Sequence, residues 1–593
     1  MIREALTSAE AARLGDHSAD RRMIMLALMA VPVGAGGAIG AWILLKLIAL
    51  STNVFWYGRL STTEADIVDA AMGMGMVVIP VVGSLIIGLM ARYGSEKIRV
   101  HGIPEAIETI LFGESRLSLK VAILKPLSAA ISIGSGGPFG AEGPIIMTGG
   151  AIGSLFAQCF HLSAAERKTL LVAGAAAGMT AIFGTPIAAI LLAVEILLFE
   201  WKPRSFVPVV LAVLVAFALR PSLIASGPMF ATDLAIPSGI APLIGAFGLG
   251  LATGLEAALL STALYRIEDG FHRLRLHWMW WPALGSIVVG IGGLIDPHVL
   301  GAGYANIDAL LGGGFGARAI ISLLLVKAVV WLVSLGSGTS GGVLAPLLIL
   351  GAALGCLVGQ YMPGSPGLWA MVGMAAIMSG AMRAPLTGAL FAAELTGSFD
   401  ALPLCLAGAG AAYALSVLLM RRSILTEKIA RRGRHILQEY SVDPMEFVQV
   451  RELMTSDPDM LSGDVRIEDA RDFFENDARH RSYPVVDATG RLLGLVSRSD
   501  ALRWRVETID GGTLLKDNLS DAAQPSAFPD SPSGMVADLI VQTGVGRIPI
   551  IARDSRRVVG ILTRQDLLKA RLKFRRAETE RTSRTRQTAA ASD

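Results

Sequence analysis

The sequence predicts an α-helical polytopic membrane protein that carries, at its C-terminal end, a soluble α/β unit used twice. Three observations predict it. The 593 residues are 53% hydrophobic and 17% charged, with a mean hydropathy of +0.56, whereas a soluble chain carries about 25% charge. The deficit is confined to a succession of apolar runs from Met23 to about Met420, with ordinary polar sequence on both flanks. Within that apolar part the sequence repeats itself, as transporter folds do.

The first 21 residues have mixed charge and precede the first apolar run, so no secretory signal is read there. Met23 to Leu45 can cross a bilayer, for which about 20 apolar residues suffice. Ser128 to Phe160 is apolar but interrupted by Gly and Pro, the pattern of broken helices lining a protein-walled cavity. Arg21 and Arg22 precede the first span, and Arg421, Arg422, Lys428, Arg431, Arg432 and Arg434 follow the last. By the positive-inside rule both termini are cytosolic, in a multi-pass protein of the plasma or inner membrane. The net charge of +3 is too small to imply a nucleic-acid partner. Cys159, Cys356 and Cys405 stand singly among apolar residues, which indicates neither a disulfide framework nor a metal site.

The repeat is explicit. Ser132 to Pro144 (SIGSGGPFGAEGP) aligns without a gap on Ser334 to Pro346 (SLGSGTSGGVLAP), a displacement of 202 residues. Gly149 and Gly153 match Gly351 and Gly355 in the same register; Gly174, Pro186 and Glu195 match Gly373, Pro385 and Glu394 at a displacement of 199. Similarity alone leaves open whether the halves run parallel or inverted. Substrate sites of such folds lie where the repeats meet.

A buried anion needs its lost hydration replaced. Helix N-termini do this with free N–H groups and a positive dipole end. Glycine lets backbone approach an ion, and Pro suits the first helical turn. Three segments fit: His101 to Glu105 (HGIPE), Gly140 to Pro144 (GAEGP) and Gly341 to Pro346 (GGVLAP). None offers a carboxylate cluster for a cation.

In these three motifs, occurring in the order of the forms GSGIP, GREGP and GxFxP, the chain resembles the CLC family of chloride channels and transporters over roughly residues 22 to 435. The resemblance implies a homodimer with one anion pathway per subunit and inverted halves, here roughly 22–235 and 236–430. It implies anion-binding positions at His101, Gly102, Ile103, Gly140, Ala141, Gly143, Val343, Leu344 and Leu425. Glu142 takes the place of the family's gate, a carboxylate that occupies an anion site and leaves when protonated. An acid among glycines in a membrane segment is a functional candidate in its own right.

The departures bear on mechanism. His101 replaces the Ser that touches the central anion. Its ring either donates to an anion or is satisfied by neighbouring backbone. Leu344 replaces a Phe, and Leu425 falls where the family has a Tyr, so a hydroxyl donor is missing. Ile196 stands where proton-coupled members carry an internal glutamate, and an alkyl group relays no proton. Glu195 and its echo Glu394 are assigned structural roles, and Glu200 is another acidic residue nearby. The reading is a gated chloride channel or weakly proton-coupled transporter; the alternatives are an H⁺/Cl⁻ antiporter with a non-standard proton path and a regulated divalent-cation transporter. A membrane hydrolase lacks support, since only His101 among eight histidines accompanies a candidate site, and no enzymatic activity is expected.

After a basic linker (431–446), short β-branched runs separated by polar turns recur: YPVV at Tyr483 and LGLVSRSD ending at Asp500, then IPII at Ile548 and VVGILTRQD ending at Asp566. They resemble a tandem CBS pair, at 447–506 and 523–573 with a linker at 507–522. Nucleotide-binding CBS pairs use residues like Ser497, Asp500, Thr563 and Asp566 for an adenine nucleotide. An Asp before a helix is also an ordinary N-cap. No other cofactor is expected. The tail, 574–593, is basic and then small and polar, a composition expected to be disordered.

Overall fold

The first apolar run continues well past Leu45. Helix α1 covers Arg21–Tyr57, with Pro32 inside it. The computed structural model describes residues 21–434 apart from 71–72, 100–101 and 114, and residues 445–573 apart from 446–447, 508 and 520–523. The segment 1–20, His101, most of the basic linker and the tail 574–593 therefore lie outside the described residues. Two compact units divide between Gln438 and Glu439.

Among the described residues of the first unit, and leaving aside the one-turn helix Ile67–Ala70, sixteen helices form two sets of eight. The first set is α1, α2 (Gly75–Leu89), α3 (Gly102–Phe112), α4 (Leu119–Gly134), α5 (Glu142–Gln158), α6 (Ala164–Phe183), α7 (Pro186–Leu192) and α8 (Pro203–Leu223). The second is α9 (Ile240–His272), α10 (Trp281–Ile295), α11 (Tyr304–Leu311), α12 (Ala317–Gly336), α13 (Leu344–Gly359), α14 (Pro366–Met382), α15 (Pro385–Thr396) and α16 (Leu402–Leu419). A last helix, α17 (Ile424–Arg431), follows. Among the described residues, seven helical segments are long and apolar enough to cross a membrane. Between them lie shorter helices, as the Gly and Pro interruptions require. Pro at the first turn starts α7, α8, α14, α15 and α16, where its missing N–H is no loss.

Contacts on the symmetry axis show how the halves are related. A residue lying on a two-fold axis meets its own counterpart. The hydroxyls of Ser84 and Ser286 are hydrogen-bonded to each other, and the Gly342 N–H donates to the Gly140 carbonyl at 3.2 Å. Both pairs are 202 residues apart. The Gly140–Gly342 bridge is antiparallel, so α5 and α13, which start just after it, leave in opposite directions. The halves are inverted. Within each half the paired helices touch backbone to backbone through small residues, Gly149 on Gly174 in one and Gly351 on Gly373 in the other.

The second unit holds two three-stranded sheets, β2-β3-β4 and β1-β6-β5, with β1 Thr455–Ser456, β2 Leu461–Ser462, β3 Ser482–Val486, β4 Leu492–Ser497, β5 Arg547–Ile551 and β6 Val558–Thr563. Strand β1 pairs antiparallel with β6, so chain entering the first module completes the sheet of the second. Each sheet has its own core, one around Phe474, Tyr483 and Trp504, the other around Val536, Ile548 and Leu562.

Candidate anion site

The three helix starts singled out in the sequence converge. A Cβ on Gly143, in the first turn of α5, would stand 3.2 Å from the Gly102 nitrogen at the start of α3 and 3.2 Å from the Gly342 Cα ahead of α13. Only a glycine lets three chains approach this closely. Gly102, Ile103, Gly140, Ala141, Gly143, Val343 and Leu344 are all buried there. Val343 caps α13 and Leu344 is its first residue. Three positive dipole ends thus share one small volume, the arrangement that suits an anion.

Glu142 is the first residue of α5 and is fully buried. Its carboxyl folds back over Gly140, where a Cβ would lie 2.0 Å from Oε2, and against Gly342. Neither carboxyl oxygen has a hydrogen-bond partner. A buried acid so poorly satisfied is expensive.

Tyr304 was not singled out in the sequence. It opens α11, the repeat counterpart of α3, and stands 202 residues after Gly102. That register was the available signal. Its hydroxyl accepts from the Ala141 N–H at 3.1 Å. The Ala141 amide, one of the anion-binding positions the resemblance implies, is engaged by this side chain. The Tyr304 ring rests on Phe183 and Phe230, with centroids 6.2 and 6.4 Å away.

Two buried lysines, also a repeat pair, hold the approach segments. Lys125 donates to the Ile98 carbonyl, ahead of α3, at 2.8 Å. Lys327 donates to the carbonyls of Val299 and Gly301, ahead of α11, at 2.8 and 3.0 Å. An ammonium with its donors used on backbone is structural; neither was read from sequence, because a Lys in an apolar run resembles a span boundary.

One cavity reaches the site and a second opens elsewhere in the same unit. The first, of about 800 Å³, runs from Glu64, Asp66 and Asp69 past His298 to Ala141 and Tyr304. The other, of about 700 Å³, is lined by Lys97, Arg99, Glu105, Glu268, Lys428 and Arg432. The residues 64–69 precede α2 and the residues 96–99 follow it, so the cavities open at opposite ends of that span.

Leu425 is fully buried in α17. Tyr265 of α9 reaches the same helix, but its hydroxyl donates to the Ile424 carbonyl at 2.5 Å, so it does not restore the missing donor. Ile196 is buried in the π-helical extension of α7, Ala193–Leu198. Glu394 accepts from the Ile187 and Ala188 N–H groups at 2.9 and 2.8 Å, at the start of α7. Glu195 accepts from the Thr387 N–H at 2.9 Å and its hydroxyl at 2.5 Å, at the start of α15. Each carboxylate caps the other half's helix, the use helix N-termini make of acids. Glu200, in the turn before α8, accepts from the Ser205 hydroxyl at 2.7 Å and faces Lys168 and Lys202. Burial pushes its carboxyl up, but Ser205 and the two lysines together hold it below the ordinary carboxylate range.

In the second unit the aspartates sit one turn inside their helices rather than ahead of them. Ser497 caps the helix Arg498–Val506, and Asp500 Oδ2 accepts from the Ser497 N–H and hydroxyl at 2.9 and 2.6 Å. Asp566 Oδ2 accepts from Thr563 in the same way, at 3.1 and 2.6 Å. Both are capping boxes, and Asp500 also pairs with Arg503. Among the described residues no group of three or more His, Cys, Asp or Glu is placed to hold a metal ion.

The family model described as voltage gated chloride channel matches residues 83–417, and the CBS domain model matches 450–507 and 523–573. The chain is 29% identical over 392 residues to the voltage-gated ClC-type chloride channel ClcB of Escherichia coli O81 (strain ED1a), covering 63% of this chain and 92% of that protein. The ClcB of Shigella flexneri matches to the same extent. Among solved structures, a slow cyanobacterial Cl⁻/H⁺ antiporter superposes with a TM-score of 0.61 at 20% identity, over 70% of this chain and 98% of that one. A eukaryotic CLC transporter superposes with a TM-score of 0.58 at 21% identity, over 92% and 98%.

Proposed function

Because the chain belongs to the voltage gated chloride channel family, a family of multi-pass membrane proteins that move anions, we propose that it passes chloride as a gated channel or weakly proton-coupled transporter, with Glu142 as the gate. The observation that carries this reading is a fully buried carboxyl, without a hydrogen bond of full geometry, at the meeting point of three helix N-termini. As a carboxylate it fills the place an anion would take. Once protonated it loses its attraction to the dipole ends and yields that place.

Weak coupling is supported by the described residues on the other side of the site, among which the candidate positions offer no relay. Ile196 has no proton to exchange, Glu195 is engaged as a helix cap, and Glu200 is held ionised by its lysines. The working unit in this reading is a homodimer with one pathway per subunit and cytosolic termini, supported by the basic residues flanking the spans. The capping boxes at Asp500 and Asp566 favour a structural role for these residues over adenine-nucleotide binding; addition of ATP to the purified protein is then expected to leave flux unchanged.

The test is simultaneous chloride and proton flux from proteoliposomes under a chloride gradient, for the wild type and Glu142→Gln. Fast chloride efflux with little proton movement, and a variant whose flux no longer depends on pH, is the expected result. Stoichiometric uphill proton movement would establish an antiporter with a different proton route, and unchanged pH dependence in the variant would remove Glu142 as the gate.

A further inference from the structure

We propose that the loop joining α9 to α10 is a docking platform for an anionic phospholipid, with Arg92, Arg273 and Arg275 receiving the headgroup phosphate and Leu274, Leu276 and Trp280 entering the acyl region. The inference is independent of how Glu142 acts.

Three apolar spans meet this loop: Gly75–Gly94 and Ile240–His272 end at it, and Trp278–Ile295 begins there. Only the residues 273–277 separate the last two, so the loop stays at the membrane surface. From Arg273 it reads RLRLHWMWW, basic and large apolar residues interleaved. Arg273, Leu274, Arg275, Leu276 and Trp280 are all exposed. In water such an apolar cluster is a liability. At the boundary of a bilayer it is an anchor, because an indole sits at headgroup level and an Arg lays its stem on apolar surface while its guanidinium reaches outward.

The platform is already in place before any lipid arrives. The Trp281 indole N–H donates to the Leu276 carbonyl at 3.0 Å, and a ring nitrogen of His277 accepts from the Met279 N–H at 3.3 Å. A Cβ on Gly88 of α2 would stand 2.4 Å from the Met279 carbonyl oxygen, so α2 meets the turn Trp278–Trp280 at the backbone. Arg92, in the π-helical extension of α2 (Met90–Gly94), lies 3.2 Å from the His277 ring, which puts a third guanidinium beside the loop. The Arg99 guanidinium is stacked on Trp278, with Cζ 4.3 Å from the ring centroid. A surface held this firmly loses little freedom on binding.

Charge decides the kind of lipid. The carboxylates in the last turns of α9 are taken: Glu268 pairs with Lys428 and Asp269 with Arg431. Among the described residues neither Arg273 nor Arg275 has an ion-pair partner. Guanidinium forks match phosphate oxygens, and basic residues at the membrane surface attract anionic lipids. Arg99 also lines the 700 Å³ cavity, so a lipid seated on the loop steadies one wall of that cavity.

The full chain in detergent is titrated with phosphatidylglycerol, phosphatidylcholine or inorganic phosphate, for the wild type, Arg273→Gln/Arg275→Gln and Leu274→Ser/Leu276→Ser. Thermal midpoints are read, and bound lipid is counted by native mass spectrometry. Phosphatidylglycerol raises the wild-type midpoint and stays bound, while the other two do neither. In the double arginine variant the mole fraction for half-maximal effect rises about 25-fold, about fivefold for each charge. Its midpoint without lipid equals that of the wild type, since both side chains are exposed and unpaired. The double leucine variant also needs more phosphatidylglycerol. Equal effects of the two lipids, or an arginine variant that binds phosphatidylglycerol as the wild type does, overturn the proposal. Stabilisation by inorganic phosphate to the same extent overturns it as well, since the site would then serve a soluble anion.

Discussion

Replacing Glu394 by Ala tests whether the exchanged helix caps hold the two halves together. The wild-type carboxylate accepts two backbone N–H groups of α7, at 2.9 and 2.8 Å, and is 6% exposed. A hydrogen bond to a charged group contributes about 1.5–3 kcal/mol, and a buried donor left without a partner costs about 1–3 kcal/mol. Taking the low end for both bonds gives a loss of ~3 kcal/mol. Unfolding entropy of about 2.1 cal/mol/K per residue, over a membrane unit of roughly 400 residues, converts this to a fall of ~4 °C in thermal midpoint. Glu394→Gln keeps one acceptor oxygen but turns an NH₂ toward the second amide, so it falls between the two. Glu195→Ala releases one N–H and one hydroxyl of Thr387 and costs somewhat less than Glu394→Ala. Because the caps act on the same pair of helices, the double variant loses less than the sum of the singles. Midpoints from fluorescence-detected size exclusion of the solubilised protein measure the series. A Glu394→Ala midpoint equal to that of the wild type, or strictly additive losses, would refute the reasoning.

Three further outcomes are expected. Gly140→Ala places a Cβ 2.0 Å from the Glu142 carboxyl, the mobile end of a side chain, so the carboxyl is expelled and anion flux at neutral pH rises toward that of Glu142→Gln; flux unchanged from the wild type would contradict it. Lys327→Met leaves the Val299 and Gly301 carbonyls without their buried donor, at about 1–3 kcal/mol for each carbonyl, and lowers the thermal midpoint by several degrees. Glu200 has its carboxyl held below the ordinary range, so its contribution is present above the unfolded value near 4 and is lost as pH falls through the lower folded value. Glu200→Gln then destabilises by roughly 1 kcal/mol at neutral pH, as partly exposed pairs do, and is without effect at a pH below both values; thermal midpoints at the two pH values decide it.

The membrane class, the repeat and its register, the three glycine-bearing helix starts and the lone Glu142 could all be read along the chain, because each rests on local composition or on spacing. The spacing of 202 residues determined which residues are counterparts of each other, though not that the pairs at Ser84 and Gly140 would lie on the symmetry axis. Direction was beyond reach. Whether the halves run parallel or inverted is a statement about space, and the antiparallel Gly140–Gly342 bridge supplied it. The same holds for partners far apart in sequence. Glu195 and Glu394 could be matched to each other, but not to the helix starts at Thr387 and Ala188 that they cap. Tyr304 shows the limit most clearly. A tyrosine after a glycine in an apolar stretch has no pattern of its own, and it meets the Ala141 amide, 163 residues away, only because two loops are pinned by buried lysines. Hydrophobic periodicity and glycine placement report what a segment is; hydrogen bonds between segments depend on the packing of all of them together.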